Sequence, residues 1–296
     1  MTAGPTKNSR AVVTCTIGDD YYNQWDNFFS KSWRQWCEQN NYDLIIFKDF
    51  IEPTEHFHTK RSPAWQKLLA MAHPDLLAYE QALWLDSDIF IRPHSPDPLK
   101  KRDQSKVSMV IDQGSPLSRE PNWFRNEWNT VLNRAPDILE EFSHLQKKFD
   151  GYYDLWGFNS LTRRLFNTGV IAFTPESHQN HFRTIYKTWT DGGKGALHEM
   201  VPLNLHLAQH NLIDVLDYKF NVLFGVHYAV YLQIKQQIDN FTTFTSQERK
   251  NPEVFLEHIL EESHFLHFAG CHDLMDMLFT TEHFKNKFFK DLTPEE

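Results

Sequence analysis

Residues 82–91 constrain the fold more than any other stretch, because a short apolar run leads into two acids and continues apolar after them. The first part, residues 82–85, is bulky and lacks glycine and proline, which is typical of a buried strand in a mostly parallel sheet. An uncompensated carboxylate is very costly at the end of such a strand. Asp86 and Asp88 therefore need a counter-charge there.

The spacing of the two acids indicates what the counter-charge is. Residues i and i+2 of an extended strand point to the same side, so Asp86 and Asp88 converge while Ser87 faces away. Converging carboxylate oxygens suit a hard divalent cation such as Mg²⁺ or Mn²⁺, which could in turn bind a diphosphate. The alternative is a solvated strand end or turn cap, where Asp and Ser are both common. We favour the metal site because apolar segments flank the acids on both sides.

The remaining pattern predicts an α/β fold that opens with a β-α-β unit. Residues 11–18 form a buried strand that ends at Gly18, and residues 19–23 form a loop. Residues 22–39 carry aromatic side chains at helical spacing, which predicts an amphipathic helix with a core-facing stripe. Residues 42–47 form the second strand. Later strands are predicted at 82–86, 106–111, 167–173, 212–224 and 264–270, and helices at 63–71, 176–190, 198–209, 248–262 and 281–291.

The domain organisation follows from the same pattern. Residues 1–9 are interpreted as a disordered lead, and residues 10–296 as one catalytic domain. Residues 113–160 mix prolines, tryptophans and helical stretches, so we interpret them as a helical insertion that could shape an acceptor cleft. Residues 191–195 are predicted to be a flexible loop because they contain three glycines.

Composition excludes several classes of protein. The net charge of −9, with both signs spread along the chain, argues against a nucleic-acid-binding protein. The three cysteines (Cys15, Cys37 and Cys271) form no CxxC motif and leave one unpaired, which fits a reducing cytosol. The first ten residues lack the apolar segment of a signal peptide, and no run approaches the ~18 apolar residues of a membrane span. A cytoplasmic protein without a transmembrane segment is therefore expected.

Four short segments occur in an order that resembles a known family. They are the first strand, the Asp86-Ser87-Asp88 strand, Asn167-Thr168-Gly169, and the His-Phe-Ala-Gly-Cys turn at 267–271. This order resembles metal-dependent glycosyltransferases of the GT-A fold, above all the retaining galactosyl-, xylosyl- and mannosyltransferase family of plants and fungi. Glycogenin-like enzymes are more distantly similar. The most specific stretch is 63–88, with a Trp-x-Lys helix, a His-Pro break and Trp-x-Asp-Ser-Asp.

The resemblance implies a metal site and a donor pocket. Asp86, Asp88 and His267 would hold Mn²⁺ or Mg²⁺, and an imidazole beside two carboxylates suits Mn²⁺. Lys67 would reach the diphosphate or the metal-site carboxylates, the alternative being a solvated helix charge. Asn167 would lie near the donor sugar, with a turn that feeds a core strand as the alternative. The other residues implied for the nucleotide-sugar pocket are Thr14, Thr16, Gly18, Arg61, Ser87, Gly169, Gly270 and His272.

Two positions depart from the family pattern. Where the family has an acid followed by Gln, this chain has Glu199 followed by Met200, so the residue beneath the reacting sugar carbon is uncertain. Where the family has a phosphate-binding lysine after Gly-Cys, this chain has His272, whose charge changes near neutral pH. Arg61 or Lys194 could then supply the missing positive charge.

The resemblance implies a retaining transfer of a sugar from a nucleotide-diphosphate sugar, preferably a UDP-sugar, to a hydroxyl group. The acceptor would be a glycan, a glycolipid or a protein. Glu199 or Asn167 would stabilise the oxocarbenium-like centre. A non-catalytic nucleotide- or sugar-binding module of the same fold stays open because of Met200 and His272. A sugar nucleotidyltransferase is less favoured, because residues 17–20 are neither glycine-rich nor basic.

Overall fold

The structure is a computed structural model that describes residues 8–52, 61–112, 165–190, 198–228, 259–271 and 275. Several predicted features lie outside the described residues. These are the lead at 1–7, the insertion at 113–160, the loop at 191–195, most of the helix at 248–262, His272 and the helix at 281–291.

The described residues contain nine strands and five α-helices. The strands are β1 (Arg10–Cys15), β2 (Asp43–Phe47), β3 (Gln81–Leu85), β4 (Ile89–Ile91), β5 (Val107–Ile111), β6 (Phe166–Phe173), β7 (Ile213–Val215), β8 (Val222–Leu223) and β9 (Phe265–His267). The helices are α1 (Asp19–Phe28), α2 (Ser30–Asn40), α3 (Gln66–Met71), α4 (Pro175–Thr188) and α5 (Met200–Gln209). Short 3₁₀ turns occupy Pro63–Trp65, Pro74–Ala78 and Tyr218–Phe220.

A six-stranded sheet in the order β2-β1-β3-β6-β5-β7 forms the centre of the molecule. The pairs β1–β2, β1–β3 and β5–β7 are parallel, whereas β6 runs antiparallel to both β3 and β5. Five of the six strands therefore point the same way. This confirms the predicted α/β fold with a mostly parallel sheet flanked by helices.

Alternation along the central strands produces an apolar core on each face of this sheet. Val12 and Leu83 belong to one core with the tryptophans of α1 and α2. Val13 and Trp84 belong to the other core, which α3, α4 and α5 cover. Since successive side chains of a strand point to opposite faces, two buried faces require the nearly continuous apolar runs seen in the sequence.

The predicted loop at 19–23 is wrong, because α1 begins at Asp19 directly after Gly18. Gly18 has a φ of +92°, a conformation that favours glycine, and Asp19 and Asp20 complement the positive end of the helix dipole. The predicted single helix at 22–39 is instead two helices that meet at Phe29. The aromatic stripe is buried as predicted, in Trp25, Phe29, Trp33 and Trp36.

A second sheet has three strands in the order β4-β9-β8. β4 pairs antiparallel with β9, and β8 pairs parallel with β9. Because β4 starts immediately after Asp88, this small sheet brings the C-terminal part of the described chain to the end of β3.

In the part of the chain that the structure describes, every helix is too short or too polar to span a bilayer.

Candidate metal and nucleotide site

The candidate site begins where β3 ends. The Asp86 amide donates a 2.8 Å hydrogen bond to the Gly169 carbonyl, which continues the β3–β6 pairing beyond the strand. The Phe268 amide donates a 3.0 Å hydrogen bond to the Asp88 carbonyl, next to the β4–β9 pairing. The two sheets therefore diverge between these acids, and each acid is fixed by a different sheet.

His267 faces both carboxylates. The register pairs Ile89 with His267, which places the imidazole beside Asp88. Its Nε2 lies 3.1 Å from Asp88 Oδ1 and 3.9 Å from Asp86 Oδ2. All three residues offer a ligand atom within 4.8 Å of the others, so the structure brings together the three residues predicted to hold a metal.

A chain of hydrogen bonds fixes the orientation of His267. Asp112 can only accept when ionised, so Asn167 turns its amide nitrogen to it, at 3.1 Å. Asn167 Oδ1 then accepts from Asn221 Nδ2 at 2.8 Å, and Asn221 Oδ1 accepts from His267 Nδ1 at 2.9 Å. Nδ1 therefore carries a proton, and Nε2 is the ligand nitrogen that faces the acids.

Gly169 is required by the close approach of His267. A Cβ at position 169 would lie 2.3 Å from His267 Cε1 and 2.5 Å from its Nδ1. Such distances are far inside van der Waals contact, and the imidazole is buried in a close-packed interior. The resemblance implied that Gly169 belongs to the nucleotide-sugar pocket, and in the structure the absence of a side chain at this position makes room for the imidazole ring.

The electrostatics of the three residues match a cation. Burial alone would lower the pKa of His267, but the carboxylates of Asp88 and Asp86 together outweigh it and raise the pKa above its ordinary value. Two convergent carboxylates thus hold positive charge between them. A hard divalent cation would supply that charge directly, and the oxygen and nitrogen donors suit Mn²⁺. The residues present fit such an ion.

Lys67 is a buried cation rather than a solvated helix charge, with 6% of its surface exposed. Its Nζ lies 2.9 Å from Asp86 Oδ1, 2.8 Å from Glu199 Oε1 and 3.0 Å from the Thr168 carbonyl oxygen. Burial would lower the pKa of Lys67, but the carboxylates of Asp86 and Glu199 together raise it. Lys67 is therefore charged at neutral pH and neutralises two acids at once.

Glu199, predicted to be catalytic, is 3% exposed and lies beneath this lysine. Its Oε1 also accepts a 3.0 Å hydrogen bond from the Thr168 hydroxyl. The following residue, Met200, starts α5 and is buried. The carboxylate of Glu199 thus anchors the Lys67 ammonium, and Asn167, the other predicted catalytic residue, belongs to the chain that orients His267.

A cleft of about 330 Å³ opens beside these residues, at the carboxyl end of β1 and β3. Ligands bind at this edge of α/β sheets. The predicted Lys67, Asp86, Ser87 and Asp88 line the cleft. The other lining residues are Cys15, Ile17, Tyr21, Ser62, Pro63, Ala64, Trp84 and His198.

Thr14 and Thr16 do not line this cleft, although the sequence predicted them as pocket residues. Both are buried, with 0% and 1% exposure, while Cys15 and Ile17 face the cleft. Alternation explains the difference, because a shift of one residue along a strand moves every side chain to the other face.

Three further predicted donor residues lie away from the cleft lining. Arg61 donates to the main-chain oxygens of Tyr186 and Trp189 at 2.5 and 3.1 Å, where it caps the end of α4. Gly270 is exposed, with a φ of +68°, and shapes the turn after β9. Gly18 starts α1 and is likewise absent from the lining residues. His272 lies outside the described residues.

Sequence reasoning missed four residues that support the site. Asp112 and Asn221 orient His267, Thr168 joins Glu199 to Lys67, and the Trp84 indole donates a 2.8 Å hydrogen bond to Asp86 Oδ1. The position of Asp112 could have indicated its role, because it directly follows the buried strand β5 in the way that Asp86 follows β3. Nothing in the local sequence indicated the role of Asn221, because that role depends on a contact with a strand far along the chain.

No protein-family model matches the chain, and no curated protein sequence matches it. Solved structures do match. One is a glycosyltransferase involved in the glycosylation of the major capsid of PBCV-1, with a TM-score of 0.51 and 10% identity over 92% of this chain and 100% of that one. Another is the apo form of the bifunctional glycosyltransferase WbbM, with a TM-score of 0.52 and 11% identity over 97% of this chain. The chain spans 52% of the length of WbbM.

At these identities the likeness is one of fold. The chain has the GT-A fold that the sequence motifs predicted, with a mostly parallel sheet between helices.

Proposed function

We propose that this protein is a metal-dependent glycosyltransferase that moves a sugar from a nucleotide-diphosphate sugar to a hydroxyl group. A UDP-sugar is the favoured donor, and a glycan, glycolipid or protein the acceptor. The observation that carries the proposal is the meeting of Asp86, Asp88 and His267 beside a cleft at the carboxyl end of β3, within a GT-A fold. The retaining outcome is proposed from the sequence motifs alone.

Asp86 and Asp88 would bind Mn²⁺ or Mg²⁺ through their carboxylates, and His267 through Nε2. When bound, the ion would neutralise charge that develops on the leaving diphosphate. His267 would need no reorientation to bind the ion, because Asn221 already directs Nε2 toward the acids. Preorganised groups of this kind need no rearrangement at the moment of reaction.

Lys67 and Trp84 would hold Asp86 in its metal-facing orientation. The Trp84 indole donates to Asp86 Oδ1, and the Lys67 ammonium donates to Oδ2 and forms an ion pair with the same carboxylate. Lys67 is itself held by Glu199 and Thr168. We propose that Glu199 acts through Lys67, as a positioning residue, because its carboxylate is buried away from the cleft lining.

We place the nucleoside between α1 and the turn at 62–64. Tyr21 is 55% exposed and lines the cleft there together with Cys15 and Ile17. An exposed tyrosine ring above a partly apolar wall suits a planar base, and the diphosphate would then extend toward Asp86 and Asp88.

A non-catalytic binding module of the same fold is the second candidate. The observation that favours it is the ion pair between Glu199 and Lys67, which engages one of the two residues predicted to stabilise the oxocarbenium-like centre. Both candidates bind a nucleotide sugar, but only the transferase releases a nucleoside diphosphate from it. Slow Mn²⁺-dependent hydrolysis of the donor therefore distinguishes them.

The first experiment is a thermal-shift panel of UDP, GDP and their common sugars, each with Mn²⁺ or with EDTA. A ligand that binds only the folded state raises the melting temperature by mass action. We expect one nucleotide to stabilise the protein with Mn²⁺ and not with EDTA, and Asp88→Asn to abolish the effect. Asp75→Asn is the matched control, since that exposed carboxylate precedes β3 instead of following it.

Two results would count against the proposal. Equal stabilisation of wild type and Asp88→Asn would place nucleotide binding elsewhere. The absence of any shift across the panel would contradict the proposed donor site, and with it the proposed glycosyltransferase activity.

A further inference from the structure

A second cluster of ligand side chains lies between α4 and α5. It consists of His181 on α4, His206 on α5 and His210 at the end of α5, and we call it the histidine cluster. Each ring offers a nitrogen within 4.8 Å of the other two. Its residues differ from those of the Asp86–His267 site and from those that line the cleft.

The geometry of the cluster matches a metal site built on helices. His206 and His210 are separated by four residues, a spacing that puts both rings on one face of a helix and occurs in zinc-binding helices. Their rings lie 4.3 Å apart and nearly parallel. His181 reaches across from the neighbouring helix, and its Nδ1 lies 3.0 Å from His206 Nε2. Nitrogens that share a tetrahedral Zn²⁺ lie roughly 3.3 Å apart, given Zn–N bonds of about 2.0–2.1 Å.

The protonation pattern leaves lone pairs available. His210 Nδ1 donates a 2.8 Å hydrogen bond to the His206 carbonyl oxygen, so its Nε2 can accept a metal. The contact between His181 Nδ1 and His206 Nε2 is a hydrogen bond, so one of the two nitrogens donates a proton and the other accepts it through a lone pair. Burial, together with nearby His210, lowers the pKa of His206 to about 4 and also lowers that of His181, so both rings are neutral at pH 7.

We propose that the histidine cluster binds a divalent late transition-metal ion such as Zn²⁺, which links α4 to α5. Three imidazoles suit Zn²⁺, Ni²⁺ or Cu²⁺, whereas Mg²⁺ prefers oxygen donors. Water would fill the fourth position, because His210 is exposed to solvent. The ion would steady α5, which begins directly after Glu199 and whose Asn204 pairs with the Phe166 main chain.

The test measures Zn²⁺ bound per full-length chain by equilibrium dialysis of chelator-stripped protein. His210→Ala is the main variant, since it removes an exposed ring, and His181→Ala removes the ligand from the other helix. His94→Gln, at another exposed histidine, is the matched control. We expect wild type and His94→Gln to bind one more equivalent than either cluster variant. The double variant Asp88→Asn/His210→Ala should bind one equivalent of Zn²⁺ less than Asp88→Asn alone. That difference separates the histidine cluster from the carboxylate site.

A thermal shift gives an independent readout. Asp88→Asn is used for this measurement so that the carboxylate site does not contribute. Zn²⁺ at about 100 times its Kd should raise the melting temperature of this variant by roughly 5 °C, and Mg²⁺ should not. Circular dichroism checks that His210→Ala is folded. Zn²⁺ binding by His181→Ala and His210→Ala at the wild-type stoichiometry would overturn the proposal, whatever the outcome of the nucleotide panel.

Discussion

Lys67 shows how one side chain can decide the stability of the whole site. Replacing it with methionine leaves Asp86 and Glu199 without their shared counter-charge, and Glu199 is buried. Removal of one partner from a buried ion pair costs about 3–5 kcal/mol. We expect Lys67→Met to lower the free energy of unfolding by that amount in urea titrations.

Lys31→Met is the control for this substitution, because Lys31 is an exposed lysine on α2. Its cost should stay within about 0.5 kcal/mol. Adding Glu199→Gln to Lys67→Met should recover part of the loss, since one of the two stranded charges is then removed. Equal costs for the two lysines would contradict the shared-cation role.

Asn221 tests whether the orientation of His267 matters. Asn221→Ala removes the oxygen that accepts from Nδ1 and so frees the ring to rotate. Loss of such a supporting partner typically weakens metal binding 10–100-fold, and we expect that range for Mn²⁺ in calorimetric titrations. Asn180→Ala, at an exposed asparagine on α4, should leave the Mn²⁺ affinity unchanged. Unaltered affinity in Asn221→Ala would show that burial alone orients the imidazole.

At the scale of elements, α2 is attached to the small sheet through Trp33. Its indole donates a 2.7 Å hydrogen bond to the Ile89 carbonyl of β4. Trp25 is equally buried, but its indole nitrogen has no partner among the residues that the structure describes. Phenylalanine removes similar volume at both positions. We therefore expect Trp33→Phe to destabilise the protein by about 1–3 kcal/mol more than Trp25→Phe in denaturant unfolding.

The elements that the sequence predicted well are those with a strong local pattern. The buried strands β1 and β3 and the aromatic stripe on α1 and α2 follow from periodicity within about a dozen residues. Strands were predicted at 212–224 and 264–270, but their pairing with β4 in a separate sheet was not. Within the described part of the chain β8 is two residues long, and its partner β9 lies far along the sequence, so no local pattern indicates the pairing. The break at Phe29 left no proline or glycine signal.

The same distinction holds within the site. Asp86 and Asp88 could be predicted from the apolar run that leads into them, and the family motifs added His267. The predicted cause was wrong, because the two acids lie on either side of a turn between two sheets and not along one extended strand. The family motifs do not indicate which face of β1 is turned toward the cleft. Thr14 and Thr16 were therefore predicted to line it, whereas Cys15 and Ile17 do. The partners of Lys67 come from β3, β6 and the residue before α5, a convergence that no local pattern encodes.

At the scale of the whole molecule, the candidate metal site lies at the junction of the two sheets. Asp86 extends β3 of the large sheet, whereas Asp88 and His267 belong to the ends of the small one. A bound ion would therefore tie the sheets together. Opening of the small sheet would then require release of the ion, so bound Mn²⁺ should make that opening less frequent.

Hydrogen exchange measures this coupling. With Mn²⁺ at about 100 times its Kd, exchange of the Phe268 amide should slow by up to about 100-fold. The Thr16 amide, which bonds to Phe47 within the large sheet, should be unaffected. Asp88→Asn should remove the difference. Uniform protection of both amides would instead indicate a global effect of the ion.

The pairing of β4 with β9 also sets an order of events during synthesis. Asp86 and Asp88 leave the ribosome early, but the imidazole that completes their cluster is translated near the end of the described chain. A nascent polypeptide that stops before β9 therefore presents two adjacent acids without their third ligand. On the proposed function, competence to bind the metal would be acquired only once β9 has docked, and unfinished chains would lack the proposed activity.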